Sequence, residues 1–328
     1  MQDQLSLFTP TDAAADEELP GRARDLELSR HVPQNVLFGT SSWTFPGWAG
    51  LVYRGRPSER TLVERGLAEY ADYPLFRTVG IDSAYYRPLP ERTLRRYREQ
   101  LPRAFPCVVK VWNEITSLTL PGSAQQNPRF LDAEVCEREV LRPLSVLGDN
   151  LGPLVFEFAP MRHGDRPSAL AFARRLDEFL GALSHDFRYA VELRNVQLFG
   201  PAYLEVLQKH GVAHVLNFWE RMPTLGKQLE AAGALGANHS VARLLIPPMK
   251  RYAERKRELA PFDKLVDPQP EMRGDVVELW DRVQALKKVL FVIVNNKAEG
   301  SSPLTVRGII EHWLETRSRS KAAGSTHV

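Results

Sequence analysis

The sequence predicts a closed (β/α)8 barrel of the TIM type, preceded by a disordered N-terminal tail. Three observations predict it. Eight short β-rich runs follow one another beyond residue 35, and each is succeeded by a stretch whose apolar residues recur with helical spacing. The strands read as continuous apolar segments, which marks a parallel sheet covered by helices on its outer side. The eight units occupy roughly 290 of the 328 residues, the usual size for such a barrel. A doubly wound open sheet is the structural alternative.

Each element can be placed in order. VLFGTS (36–41) leads to a helix over 59–71, and FRTVGID (76–82) to one over 90–100. FPCVVKVW (105–112) precedes a helix over 130–147, and PLVFEF (153–158) one over 167–183. FRYAVEL (187–193) is followed by 200–209, and VAHVLNF (212–218) by 224–235. VARLLI (241–246) is followed by 271–288 after a long loop, and VLFVIVNN (289–296) by 303–317. Pro90, Pro167, Pro201 and Pro303 stand at helix starts, where a missing N–H costs nothing. The expected organisation is a flexible acidic tail over 1–34, the barrel over 35–317 and a flexible basic tail over 318–328.

An apolar content of 43% and a charged content of 25% suit a soluble globular chain with a sizeable core. No apolar run reaches the roughly 18 residues that span a bilayer. The N-terminus lacks the basic flank and apolar stretch of a signal peptide, so the expected location is cytoplasmic, with no membrane partner. Cys107 and Cys136 are too few for a disulfide framework or a zinc site. Residues 1–34 hold seven acids against three arginines, a charge of −4, which leaves +7 on the remainder of a chain whose total is +3. A basic body suits an anionic partner.

In a TIM barrel, functional residues lie where strands end and the following loops begin. Here those positions carry Ser42 and Trp43; Asp82, Tyr85 and Tyr86; Lys110, Trp112 and Asn113; Glu157; Glu192 and Arg194; Asn217 and Trp219; Arg243; and Asn295, Asn296 and Lys297. Polar and charged groups at the end of every apolar strand are costly to desolvate without a purpose. The stretches GTSSWTFPGWAGLVY, IDSAYYRPLP, FPCVVKVWNEIT, AVELRN and VIVNNKAEGSSP, in this order from residue 38 to about 303, resemble the YecE-like family, domain of unknown function 72. The resemblance implies a TIM barrel with a pocket, and no established reaction. Asp82 stands where the family usually has glutamate, Ser117 where many members have histidine, and Glu157 where glutamine is common. The seventh loop, Pro247 to Phe262, is longer than usual.

The mouth so defined holds three acids, Asp82, Glu157 and Glu192, and four bases, Lys110, Arg194, Arg243 and Lys297. Asp82, Lys110, Glu157 and Glu192 are the candidates for proton transfer. Ser42, Trp43, Tyr85, Tyr86, Arg194, Asn217, Arg243, Asn295, Asn296 and Lys297 are the candidates for ligand contact. Such charges either pair for structure alone or bind phosphate or carboxylate, which the fork of an arginine matches. MKRYAERKRELAPFDK in the seventh loop adds six bases against three acids, a basic wall for the mouth or a solvated helix. Aromatic rings stack on bases or sugar faces; Trp43, Tyr85 and Tyr86 are assigned there, and Trp48 and Tyr53 to the core. Glu157 and Glu192 on adjacent strands have the form of a glycosidase pair, though cations crowd them. No histidines are paired at ligand spacing and no cofactor is expected; Mg or Mn on Asp82, Glu157 and Glu192 is opposed by Lys110 nearby.

Gln4-Leu5-Ser6-Leu7-Phe8 resembles the short peptide by which bacterial replication and repair proteins dock on the sliding clamp. In that mode Gln4 hydrogen-bonds while Leu5, Leu7 and Phe8 fill an apolar pocket; otherwise these side chains cover a patch on the barrel itself. Three functions follow: DNA maintenance through clamp recruitment, with nucleic acid as partner; a hydrolase, lyase or isomerase acting on a small phosphorylated or acidic sugar; or binding without catalysis. Salt-sensitive DNA binding marks the first, a small enclosed pocket the second, and a fully paired charge layer the third.

Overall fold

The computed structural model describes residues 19–120, 122–123, 125–247 and 252–324. Eight parallel strands form one sheet: β1 (Val36–Thr40), β2 (Val79–Ile81), β3 (Cys107–Lys110), β4 (Leu151–Phe158), β5 (Tyr189–Leu193), β6 (Ala213–Phe218), β7 (His239–Leu244) and β8 (Val289–Val294). The order is β1-β8-β7-β6-β5-β4-β3-β2, so β1 and β2 meet to close the barrel. At this last seam no regular ladder forms. Instead Arg77 N–H donates to Phe38 O at 2.8 Å. The Tyr70 hydroxyl accepts from Thr40 N–H at 2.9 Å and donates to Thr78 O at 3.0 Å. Gly39 makes that approach possible: a Cβ there would overlap the Thr78 carbonyl.

The helices are α1 (Arg22–His31), α2 (Glu59–Ala71), α3 (Glu91–Gln100), α4 (Ala133–Cys136), α5 (Arg142–Leu144), α6 (Ala169–Ala182), α7 (Pro201–Lys209), α8 (Leu225–Leu229), α9 (Tyr252–Leu259), α10 (Pro270–Ala285) and α11 (Ser302–Gly324). Ser58, Asp132, Ser168 and Thr224 cap α2, α4, α6 and α8 with side-chain oxygens, satisfying N–H groups that have no intrahelical partner. No helix among the described residues is long and apolar enough to cross a membrane.

Several boundaries differ from expectation. The tail expected to be flexible through residue 34 is folded from Leu19. Its helix α1 carries Asp25, buried and bound by Arg307 at 2.6 and 2.8 Å and by the Tyr73 hydroxyl at 2.7 Å. Arg77 holds the other end of α1 through the carbonyls of Ser29, Val32 and Pro33. An acid that counts as surface charge in a composition is here a buried anchor. The helix expected over 130–147 is broken by a π-turn (Glu137–Leu141) between α4 and α5. The one expected over 224–235 ends at Leu229, before Gly233, whose φ of 89° no helix accommodates. The last helix runs past 317 to Gly324, so the basic C-terminal segment begins as helix. The candidates Gln4, Leu5, Leu7 and Phe8 lie outside the described residues.

The core has two parts. Outward strand residues and the helices form the larger one, in which Trp280 and Trp313 stack at 4.2 Å between α10 and α11. Inside the barrel, Val108, Val155, Ala190, Val215, Val241 and Ile293 belong to a separate apolar cluster. Side chains two apart on a strand share a face. Two residues beyond these plugs, therefore, the chain places Lys110, Glu157, Glu192, Asn217 and Arg243 on the same inner face, directly above an apolar floor. Cys107 and Cys136 are buried free thiols whose pKa burial pushes up to about 12, which keeps them protonated.

Candidate functional site

Strand register builds the charged layer. Glu157 of β4 pairs with Glu192 of β5, and Asn217 of β6 with Arg243 of β7. Arg243 lies across the centre, almost wholly buried. Its Nη1 reaches Glu192 at 2.6 Å and Glu157 at 3.2 Å, while Nη2 reaches Asp82 at 2.6 Å. Arg194 clamps the two glutamates from above, at 2.7 Å to Glu157 and 3.1 Å to Glu192. Lys110 Nζ is 2.5 Å from Glu157 and 3.7 Å from Asp82. Three acids meet three bases, and the layer is neutral by itself.

The electrostatics follow. Burial opposes the charge on Glu157, but Lys110, Arg194 and Arg243 outweigh it and bring the carboxyl pKa down to about 2. Burial likewise opposes the charge on Arg243, and Asp82, Glu192 and Glu157 more than compensate. These are fixed charges at neutral pH. Glu192 has no exposed surface, and Arg243 occupies the space between Asp82, Glu157 and Glu192, the position a divalent cation held by these carboxylates would need. The edge of the layer that reaches the mouth consists of Asp82, Lys110 and Arg194.

Aromatic rings frame that edge. The Arg194 guanidinium stacks 3.9 Å over Trp219, and Lys110 lies 4.5 Å over Tyr85. Tyr86 meets Tyr85 edge-on and is 76% exposed, on the rim. Burial, then the charge of Glu157, raises the Tyr85 pKa, so its hydroxyl stays neutral. Tyr85 is also one wall of a cleft of about 490 Å³ between the β3 and β4 loops. Asn113, Thr116, Ser117, Thr119 and Ser123 line it with polar groups, and Arg162 and Asp165 stand at the other side. The size falls in the range of small-molecule sites.

Not every candidate joins this group. Trp43 is buried against Tyr97 and donates its indole N–H to Leu62 O at 3.0 Å, so it belongs to the packing of α2 and α3. Ser42 hydrogen-bonds within its own loop, to Thr44. Lys297, counted with the bases of the layer, has its Nζ 3.4 Å from Asn295 Oδ1 and 5.9 Å from the Phe262 ring centroid. Asn296 is buried and accepts from Trp48 Nε1 and from Ser302 N–H at the start of α11. Asn217 is buried beside Arg243, with Nδ2 donating to Leu193 O. The cleft residues Thr116, Thr119, Ser123 and Arg162 went unnoticed in the sequence, because long loops carry no periodic signal.

These features define a TIM-barrel protein with its polar site at the C-terminal ends of the strands. The chain belongs to the family described as protein of unknown function DUF72, whose model matches residues 37–326. Among solved structures it is similar to a DUF72 family protein from Enterococcus faecalis V583, at 16% identity and a TM-score of 0.58, over 84% of this chain and 95% of that one. It is also similar to a DUF72 family protein from Thermotoga maritima MSB8, at 17% identity and a TM-score of 0.54, over 86% of this chain and 99% of that one. At these identities the likeness is one of fold. No curated protein matches the chain.

Proposed function

We propose that the mouth binds a small sugar or polyol bearing one phosphate or carboxylate, and that the protein is an enzyme acting on such a ligand. The observation that carries this reading is the hydroxyl-lined cleft of about 490 Å³ meeting the Lys110–Arg194 edge of the charged layer at Tyr85. Hydroxyl walls suit a polyol, and two cations held rigidly by Glu157 suit its anionic end. Glu157 and Glu192 act by positioning. Proton exchange with a ligand falls to Tyr85, which lines the cleft, and to Asp82 at the mouth edge of the charged layer.

The test is a thermal-shift and calorimetric screen with inorganic phosphate, a pentose phosphate and a sugar acid. A ligand at 100 times its Kd stabilises the fold by about 2.7 kcal/mol. Arg194→Met is expected to weaken binding at least tenfold. A screen in which no member of either class binds, up to about 10 mM, or one in which Arg194→Met binds as well as the wild type, overturns the reading; weak ligands of Kd near 1 mM correspond to about −4.1 kcal/mol.

A second reading rests on Gln4-Leu5-Ser6-Leu7-Phe8. The described chain begins at Leu19 beside α1, which packs on α11 and the end of α2, on the outer wall of the barrel. Saturable binding of a labelled peptide of residues 1–12 to a bacterial sliding clamp, lost on Leu7→Ala with Phe8→Ala, is the outcome expected if clamp recruitment is right. Failure to bind returns those side chains to the barrel's own packing.

A further inference from the structure

The loop after β4 brings two opposite charges to the cleft that do not meet. Arg162 and Asp165 both line it. Asp165 N–H donates to Arg162 O at 3.1 Å, closing a turn that holds the two backbones within about 7 Å of each other. Several opposite charges equally near in sequence do pair in this chain: Arg30 with Glu27 at 2.8 Å, Arg60 with Glu64 at 3.1 Å and Arg282 with Glu278 at 2.5 Å. Among the described residues, by contrast, neither the Arg162 guanidinium nor the Asp165 carboxylate has an ion-pair or hydrogen-bond partner.

Both walls of the cleft are tied to the barrel. The turn is fastened to the β5 loop, where Met161 N–H donates to Asn195 Oδ1 at 2.9 Å and Arg166 Nη1 to Gln197 Oε1 at 3.1 Å. The other wall is a short hairpin of the β3 loop, in which Thr119 bridges Gln126 and Asn127 N–H donates to Leu118 O at 2.9 Å. Asn127, buried, fixes the base of that hairpin, its Nδ2 donating to Glu114 O at 2.6 Å and Ser117 O at 2.8 Å. A fastened backbone thus presents a free base and a free acid, one turn apart, to the same space.

The chemistry of the cleft is therefore divided. At Tyr85 it meets Lys110, whose charge Glu157 already matches at 2.5 Å. At the β4 loop it meets an arginine and an aspartate that nothing matches. A lone anion satisfies Arg162 and is repelled by Asp165, and a lone ammonium group meets the reverse. A carboxylate and an ammonium group on neighbouring atoms satisfy both: the fork of the arginine takes the carboxylate, and the acceptor-only aspartate takes the ammonium protons. That pair of groups is the head of an α-amino acid.

We propose that Arg162 and Asp165 form a subsite for an α-amino-acid head group, and that the ligand of the cleft is a sugar or polyol phosphate joined to an amino acid. The subsite rests on the reading of the cleft as a site for an anionic sugar or polyol, and it assigns the end of the ligand remote from Lys110 and Arg194.

Calorimetric titration of the full chain with fructose 6-phosphate and with N-fructosylglycine 6-phosphate tests it, because the two share the phosphate and differ in the amino-acid head. The wild type is expected to bind the conjugate at least about tenfold more tightly, the discrimination that two matched charges supply. Arg162→Met and Asp165→Asn should each abolish that preference, whereas Arg194→Met should weaken both ligands and keep it. Neither Arg162 nor Asp165 bonds to the rest of the protein through its side chain, so both variants should fold as the wild type does. Equal binding of the two ligands to the wild type, or a preference that survives in either β4-loop variant, overturns the subsite alone. Fructose 1,6-bisphosphate binding more tightly than the conjugate would show a second anion at Arg162 and overturns it too. Binding of neither sugar phosphate overturns the reading of the cleft and the subsite together.

Discussion

Arg243 holds three carboxylates, two of them, Glu157 and Glu192, out of reach of bulk water and the third, Asp82, at the mouth. Removing one partner of a buried charge group leaves the others uncompensated, at a cost of about 3–5 kcal/mol. Arg243→Met should lower unfolding free energy by that amount in a urea titration; a loss under about 1 kcal/mol would show that the layer relaxes easily. Two buried histidines set a pH dependence. Burial lowers the pKa of His214 and His239 from 6.5 to about 4. Between these values the unfolded chain binds the protons and the native one does not. Their contribution is therefore complete above about pH 6.5 and is lost as pH falls towards 4, at about 1.4 kcal/mol per pH unit for each histidine. His239→Gln should flatten the fall in melting temperature between pH 6.5 and 4.5; an unchanged slope would mean that the native state protonates His239 readily. The six residues of the charged layer were legible one by one, since each is a charged residue in or just after an otherwise apolar run. Trp43 looked alike in sequence and is core, because the direction in which a side chain leaves a loop is not encoded in its neighbours' polarity.

The seam between β1 and β2 is where an element depends on one residue. Gly39→Ala drives a methyl into the Thr78 carbonyl, and the strands must part. The expected result is loss of several kcal/mol, of the kind overpacking causes, or an insoluble product. In α10, by contrast, a methyl group added at Gly274 would meet nothing within 4 Å, so Gly274→Ala should stabilise by about 0.5–1 kcal/mol through helix propensity. Melting curves of the two variants check both; equal shifts would contradict this account of the seam. Strand and helix order was legible from period and proline placement. The break between α4 and α5 was not, because a π-turn changes hydrogen bonding without interrupting apolar spacing. Helix α1 was hidden for another reason: its stability comes from Asp25 meeting Arg307, a contact across 282 positions of sequence.

Taken together, the barrel and the segment ahead of it behave as separable parts if the clamp reading holds. A chain lacking residues 1–18 should then melt within about 1 °C of the full protein and bind the same small ligands, while losing any affinity for a sliding clamp. A fall of several degrees, about 2–4 °C for each kcal/mol in larger domains, would show that Leu5, Leu7 and Phe8 pack on the barrel. The sequence alone determined the (β/α)8 architecture, since period and alternation are local properties that eight repeats make unambiguous. It also determined which strand ends carry charge, because residues two apart must share a face. Only the tertiary structure decided which charges cancel and where the cleft opens. Those outcomes depend on distances between residues far apart in the chain, and packing and register fix such distances only once the barrel has closed.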